Sequence, residues 1–425
     1  MANKTETYSF YLVFGDMVCF VMGLCLALVL RTGGLPRPDL LQLHIIPFSL
    51  IFIIWILVFY ITGLYEMQAL VLRDISARLL VNAQLVNSGI VILIFYFIPD
   101  FLIAPKTVLI IDLIVTLVLL FGWRFFFLRR ISSSPREPAY IVGDGPAVDA
   151  LKLALKNPHY GMDVVPSAEQ ASVIILDMNA VGAGEIMKSF YPFIFTKVRF
   201  FDLGKVYEEI FGRIPLSLLT SRWCLENVSL QPKPAYTFLK RAMDIVIALP
   251  FAFVSLPLYP LVWLIMKIED NGPLLFVHDR AGENGKLVRL PKFRSMKSDD
   301  PDTPPEKSRD RITRIGAILR KTRIDELPQL WAVVRGDMSL IGPRPEFPHI
   351  VERYKKEIPY YDLRHIIKPG LSGWAQVFYN TPAYDSATNA EKLAYDLYYV
   401  KNRSILLDFK IALKTIKTLL SRVGA

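Results

Sequence analysis

The chain has 425 residues, of which 53% are apolar and 21% charged, and its mean hydropathy is +0.36. Soluble domains carry about 25% charged residues, so this is not one soluble globule, and the apolar content excludes the disordered and fibrous classes. The length suggests two or three domains. The formal charge of +10 is uneven: residues 267–425 hold 28 Lys and Arg against 20 Asp and Glu, and residues 1–266 hold 21 against 19. A basic C-terminal third points to an anionic partner, whether nucleic acid, anionic lipid or a phosphorylated substrate. Cys19, Cys25 and Cys224 give neither zinc spacing nor a disulfide framework.

Four apolar runs fill the first 130 residues, at about 8–30, 45–65, 79–99 and 107–128. Each approaches the roughly 20 residues that cross a bilayer, so residues 1–130 read as a four-helix membrane domain. The first run is not a cleaved signal peptide. It is too long, Asp16 interrupts it, and no small-residue cleavage site follows. Asp16 and Asp112 are lone acids inside such runs. They read as residues near an interface or bonded to a neighbouring helix. Lys4, Arg73, Arg78, Arg129, Arg130 and Arg136 fall on one side of the block, and Arg31, Arg37 and Lys106 on the other. That excess places both ends of the block in the cytoplasm.

After the linker ISSSPREP (131–138), residues 139–155 read as strand, Gly turn and amphipathic helix, and SVIILDM (172–178) as a second strand. Gly143 and Gly145 are in place, but Val148 fills the third glycine position and no ribose-binding acid follows the second strand. Residues 139–225 are therefore predicted to be a truncated, Rossmann-like α/β domain of structural or regulatory use, without a dinucleotide. The linker QPKPAY (231–236) leads to a fifth apolar run, 242–268, broken by Pro250, Pro257 and Pro260. The last segment, 404–423, sets Lys410, Lys414 and Lys417 on one helical face and Leu406, Phe409, Leu413, Ile416 and Leu420 on another. Such a helix suits a membrane surface or the domain's own core.

The candidate chemistry clusters in KTRIDELPQLW (321–331), where Asp325 and Glu326 are adjacent and Arg320 and Arg323 lie just before them. Pro328 belongs in a first helical turn, so a helix is predicted to start near Asp325. Helix N-termini and arginines favour phosphate, although a carboxylate there is also a good cap. Adjacent residues do not share a helix face, so the two carboxylates can do different jobs. Lys292 and Arg294 in KFRSM (292–296) and Arg344 in GDMSLIGPRPE (336–346) add cations suited to a diphosphate. DDPD (299–302) resembles a magnesium motif but sits in a Pro-rich polar stretch and reads as a loop. The histidines form no zinc pair, and neither a Walker A motif nor a G-x-S-x-G elbow occurs.

Six ordered blocks in 236–425 resemble the bacterial sugar transferase family. They are FLKRAMDIVIA (238–248), NGPLLF (271–276), KFRSM (292–296), 313–346, KPGLSGWAQV (368–377) and 391–415. Residues 1–225 and the segment 217–245 resemble the large, multi-pass members that begin exopolysaccharide, capsule or O-antigen units. The resemblance implies three parts: a four-helix membrane bundle, a small α/β domain and a mainly helical catalytic domain with a re-entrant helix and interfacial amphipathic helices. It implies a phosphoglycosyl transferase at the bacterial inner membrane, with its catalytic domain on the cytoplasmic face. Such an enzyme would move sugar 1-phosphate from a UDP-sugar to undecaprenyl phosphate, with Mg2+ as cofactor, against anionic lipid and as a homodimer; nucleic acid is not an expected partner. It places the catalytic pair on Asp325 and Glu326, with Glu326 on the metal. Lys292, Arg294, Arg320 and Arg344 become substrate contacts, and Asp396 falls at an acidic position of less defined role. Pro257 falls at the family's membrane kink, but Leu256 stands where a serine is usual, and the hydrogen bond of that serine is expected to be lost. An inactive membrane scaffold is the alternative, which the intact carboxylate pair disfavours. A Rossmann enzyme acting on UDP-sugars would need a cofactor site that 139–225 does not supply.

Overall fold

The computed structural model describes residues 2–65, 73–97, 106–132, 136–157, 160–178, 183–196, 198–228, 233–269, 271–296, 312–379 and 385–420. The DDPD segment and parts of both linkers lie outside them. The chain divides into two compact units, Met1–Ile210 and Phe211–Ala425.

The first unit begins with α1 (Ala2–Thr32), α2 (Pro38–Thr62), α3 (Arg73–Phe97) and α4 (Lys106–Ser132). Each holds a stretch long and apolar enough to cross a membrane: Tyr8–Thr32, Pro38–Thr62, Ala77–Phe95 and Thr107–Phe127. Phe20 of α1 packs against Phe52, Trp55 and Phe59 of α2. Between helices in lipid, close packing and polar contacts decide association. Both are present here. Asp16 is buried and accepts from Arg124 of α4 at 2.6 Å and from the Tyr65 hydroxyl at 3.0 Å. Arg124 also donates to the Leu64 carbonyl at 3.1 Å. Asp112 accepts from Thr116 on its own helix at 3.1 Å. Gly23 makes room for that pair, since a Cβ there would lie 2.0 Å from the Thr116 hydroxyl.

The rest of this unit alternates strand and helix: β1 (Glu137–Ile141), α5 (Pro146–Leu155), β2 (Met162–Val164), β3 (Val173–Leu176), α6 (Ala183–Phe190), a 3-10 turn (Tyr191–Phe195), β4 (Arg199–Asp202) and α7 (Leu203–Phe211). The four strands form one parallel sheet in the order β2-β1-β3-β4. β3 is buried at all four positions, as an unbroken apolar run in a parallel sheet should be. Gly143 and Gly145 turn the chain from β1 into α5 at φ 102° and 119°, which side chains other than glycine rarely adopt.

The second unit starts earlier than the expected residue 236. Ile214 and Trp223 lie in a core with Tyr354, Tyr361, Leu393 and Leu397, and the Ile214 amide donates to the Ala394 carbonyl at 3.0 Å. Residues 211–225, assigned from sequence to the α/β domain, therefore pack here through α8 (Ser221–Asn227), which Thr220 caps. α9 (Pro234–Ser255) and α10 (Leu258–Glu269) then meet at a bend of 47°. Pro257 has no amide for the Phe253 carbonyl, and the Leu256 amide takes that carbonyl at 3.1 Å. The Ala252 carbonyl receives the Ser255 hydroxyl at 2.7 Å. The hydroxyl absent at Leu256 is thus present one residue earlier.

The hairpin β5 (Leu275–Ala281) and β6 (Leu287–Phe293) follows, then α11 (Arg314–Thr322), a 3-10 turn (Ile324–Gln329), α12 (Leu330–Arg335) and β7 (Ser339–Ile341). Next come α13 (Pro348–Glu357), a 3-10 turn (Tyr361–His365), β8 (Gly370–Ser372), α14 (Trp374–Phe378), α15 (Ser386–Asn402) and α16 (Ile405–Leu420). β7 and β8 pair in parallel. In α16 the basic face turns inward: Lys414 lies 4.1 Å from the Phe378 ring centre and Lys410 5.5 Å from that of Trp374. Ile411 and Leu413 are buried, while Leu406, Phe409 and Ile416 face outward.

Candidate active site

Asp325 and Glu326 occupy the 3-10 turn between α11 and α12. The sequence suggested a helix starting near Asp325, but the α-helix starts at Leu330. Arg323, at φ 58°, ends α11 in the left-handed region, and Pro328 denies the next turn an amide. The backbone thus presents both carboxylates on a tight turn, and neither serves as a helix cap through its side chain.

Two clamps from the bent helix pair bracket this turn. Glu269, at the end of α10, accepts from the Arg314 and Ile315 amides at 2.6 and 3.1 Å, capping α11. Arg241, in α9, donates to the Val333 and Val334 carbonyls at 2.7 and 2.6 Å, closing the other end at α12. Phe293, Ile315, Leu319, Val262 and Met266 fill the space beneath.

Cations gather on the pair. Glu326 accepts from Arg344 at 3.1 Å and lies 3.8 Å from Arg323. Its side chain is 18% exposed, while Arg344 is 44% exposed and keeps donors open to a ligand. Lys292 on β6 and Arg320 on α11 act on Asp325 through their charge. Burial, and then the Glu326 charge, push the Asp325 carboxyl up to about 6, against Lys292 and Arg320. Burial works against the Glu326 charge too, but Arg344 and Arg323 outweigh it and hold that carboxyl below its ordinary value. Environments that drive neighbouring carboxylates apart give them different chemistry. Asp325 is the more basic, hence the better nucleophile; Glu326 is a fixed anion.

The loop carrying Arg344 is set by backbone. The Gly342 amide donates to the Ser372 carbonyl at 2.8 Å and the Gly370 amide to that of Pro343 at 2.9 Å. A Cβ on Gly370 would lie 2.0 Å from the Gly342 nitrogen, so only glycine permits this approach. Arg280 stacks over Phe347 at 3.4 Å and reaches the Pro345 carbonyl at 3.5 Å.

Two residues expected to bind substrate are also engaged with the domain's own framework. Arg294 is buried, with its Nε donating to the Pro273 carbonyl at 3.2 Å and its guanidinium where a side chain on Gly272 would be. It clamps the strand entry. Asp396 is buried in an ion pair with Arg364 at 2.7 Å. Sequence reasoning did not single out Arg364, which lies between Asp362 and His365 outside the quoted blocks, nor Glu269, whose partners are backbone amides.

A family model described as bacterial sugar transferase matches residues 235–422. The chain is 40% identical over 195 residues to the exopolysaccharide production protein PSS of Rhizobium leguminosarum bv. phaseoli, covering 43% of this chain and 96% of that one. The chain belongs to the bacterial sugar transferase family. It is also 40% identical over 228 residues to the UDP-N-acetylgalactosamine-undecaprenyl-phosphate N-acetylgalactosaminephosphotransferase of Aeromonas hydrophila, and the match spans 53% of each chain. With the UDP-glucose:undecaprenyl-phosphate glucose-1-phosphate transferase of Caulobacter vibrioides it shares 39% identity over 198 residues, 46% of this chain and 74% of that one. The matched region holds Asp325, Glu326 and every cation around them.

Proposed function

We propose that the chain transfers sugar 1-phosphate from a UDP-sugar to undecaprenyl phosphate, yielding undecaprenyl-diphosphate-sugar and UMP. The observation that carries this reading is the adjacent carboxylate pair with oppositely shifted acidities inside a ring of cations. The activities for which the Aeromonas and Caulobacter relatives are named support it.

In this scheme the Asp325 carboxylate attacks the sugar-side phosphorus. A phosphorus–oxygen bond forms, the bond to UMP breaks, and UMP leaves with the electron pair. An oxygen of undecaprenyl phosphate then attacks the aspartyl phosphosugar and returns Asp325 as a carboxylate. A carboxylate nucleophile divides one hard displacement into two easier ones. Arg344, Lys292 and Arg320 offset the diphosphate charge, so that an anion can approach an anionic phosphorus. Magnesium belongs to the same proposal. Among the described residues there is no group of three or more His, Cys, Asp or Glu able to hold a metal. Magnesium needs only one or two carboxylates, taking its other ligands from phosphates and water. Glu326 fits that donor set, and the ion would neutralise diphosphate charge.

The same reading places the enzyme in the cytoplasmic membrane, where UDP-sugars reach it from the cytoplasm, as the first membrane step of exopolysaccharide, capsule or O-antigen synthesis. A homodimer is part of it, supported by an α/β domain that holds none of the proposed catalytic groups. The test is isotope exchange: with UDP-sugar, labelled UMP and magnesium but no lipid, label enters UDP-sugar. An active preparation that exchanges nothing excludes the two-step route.

A further inference from the structure

The four-stranded sheet has a polarity that its connections impose. The two helical crossovers of the three connections, α5 and α6, return the chain to the edge where the parallel strands begin. That is also the edge at which the chain arrives from α4. Only residues 133–136 separate Ser132, the end of α4, from Glu137, the start of β1. Five peptide steps reach at most about 18 Å. The N-terminal edge of the sheet is therefore tethered close to the membrane face where α4 emerges with Arg129 and Arg130.

That edge carries apolar side chains that the domain's own core does not cover. The turn Tyr191–Phe195 enters β4 there, with Tyr191 59%, Ile194 58% and Phe195 78% exposed. Leu153, in the last turn of α5, is 68% exposed. Lys156 and Lys188 flank these groups and are exposed. The edge anions Glu137 and Asp163 are matched by Arg199 and Arg136. Aromatic rings, aliphatic side chains and lysines on one tethered edge suit a lipid–water boundary.

We propose that the N-terminal edge of the sheet docks on the bilayer, with Ile194 and Phe195 inserted among lipid headgroups and Tyr191, Lys156 and Lys188 at their level. The α/β domain is then a membrane-seated body that fixes where the chain resumes after α4, not a freely swinging globule.

The test uses the full-length protein, one copy per nanodisc, in a background with Cys19, Cys25 and Cys224 replaced. Phe195→Cys and Asp144→Cys each carry an environment-sensitive fluorophore; Asp144 is exposed at the opposite edge, after β1. Brominated-acyl phosphatidylcholine and phosphatidylglycerol form the disc. The label at 195 should emit blue-shifted light and be quenched several-fold more than the label at 144. Ile194→Cys repeats the reading should a change at 195 disturb the turn. Equal quenching at both edges overturns the proposal. So does a label at 195 shielded from aqueous quencher yet untouched by bromolipid, which would mean that protein covers the patch.

Discussion

Asp396 and Arg364 form a buried ion pair at 2.7 Å, and the same guanidinium holds the backbone carbonyl of Arg344 at 3.2 Å. Arg344 in turn donates to Glu326 at 3.1 Å. An acid on α15 thus reaches the turn of Asp325 and Glu326 through two arginines. Asp396 is a positioning residue in this arrangement, since its carboxylate meets Arg364 and not the ligand face.

Removing either member of this pair leaves a buried charge without its partner, which costs about 3–5 kcal/mol. Asp396→Ala should lower the thermal midpoint markedly. The milder Asp396→Asn should keep the fold and lower kcat/KM by about 10–100-fold, through misplacement of Arg344. The pH dependence set by Asp325 should stay where it was. A loss of activity that moved that profile would instead place Asp396 in contact with the reaction.

Asp325 itself couples activity to pH. With its carboxyl at about 6, kcat/KM should fall as pH drops through that value, because only the ionised form attacks. Stability runs the other way. The folded-state pKa, about 6, lies above the unfolded 3.8, so the native state binds the extra proton between about pH 4 and 6. Its contribution is complete below about 4 and is lost as pH rises through 6. Asp325→Asn should therefore abolish turnover yet leave a fold more stable than wild type at pH 7, by at most about 3 kcal/mol. The gain should vanish near pH 4. Scanning fluorimetry of both proteins across that range reads it, and a gap constant with pH would refute the assignment. Unchanged lipid-linked sugar formation by Asp325→Asn in cells would favour a scaffold instead of an enzyme.

Within the membrane block, Asp16 and Arg124 should behave as a unit. Arg124→Leu or Asp16→Leu alone should cost about 3–5 kcal/mol, while the double replacement should cost less than either. Thermal midpoints of the four proteins in one detergent measure the coupling, and strict additivity would contradict it.

The bent pair α9–α10 is expected to enter and leave the membrane on one face. Both ends are cationic, with Lys233, Lys240 and Arg241 at the start of the pair and Lys267 and Arg280 at its end and beyond. Single cysteines at Phe238 and Lys286 should both react only from the cytoplasm. Phe238 is preferable to Lys240, whose ammonium pairs with buried Asp408 at 3.0 Å. Labelling of 286 from outside would show a crossing.

The membrane helices were legible because apolar runs of about 20 residues are the length at which a helix crosses lipid with its backbone groups paired. The carboxylate pair was legible because adjacency, flanking arginines and Pro328 are all local. Partner choice was not. Arg294 and Arg344 both look like phosphate ligands in sequence, yet one is drawn to the Pro273 carbonyl and the other to Glu326. Glu269 looks like the end of a helix and nothing more, but it caps a helix that begins 45 residues later. The early start of the second unit rests on Ile214 and Trp223, whose core includes Tyr354, Tyr361, Leu393 and Leu397, more than a hundred residues away.

Glu269 and Arg241 hang the carboxylate turn from both arms of one bent helix pair, and with that pair seated in the membrane as expected, the chain would be a gauge of its bilayer. Thickening or thinning the hydrocarbon layer works on the angle between those arms. Whatever opens or closes that angle also slides the two anchor points of α11 and α12, and with them the alignment of Asp325 against phosphorus. Turnover in discs of graded acyl-chain length should consequently pass through an optimum, set by the span for which the elbow was shaped.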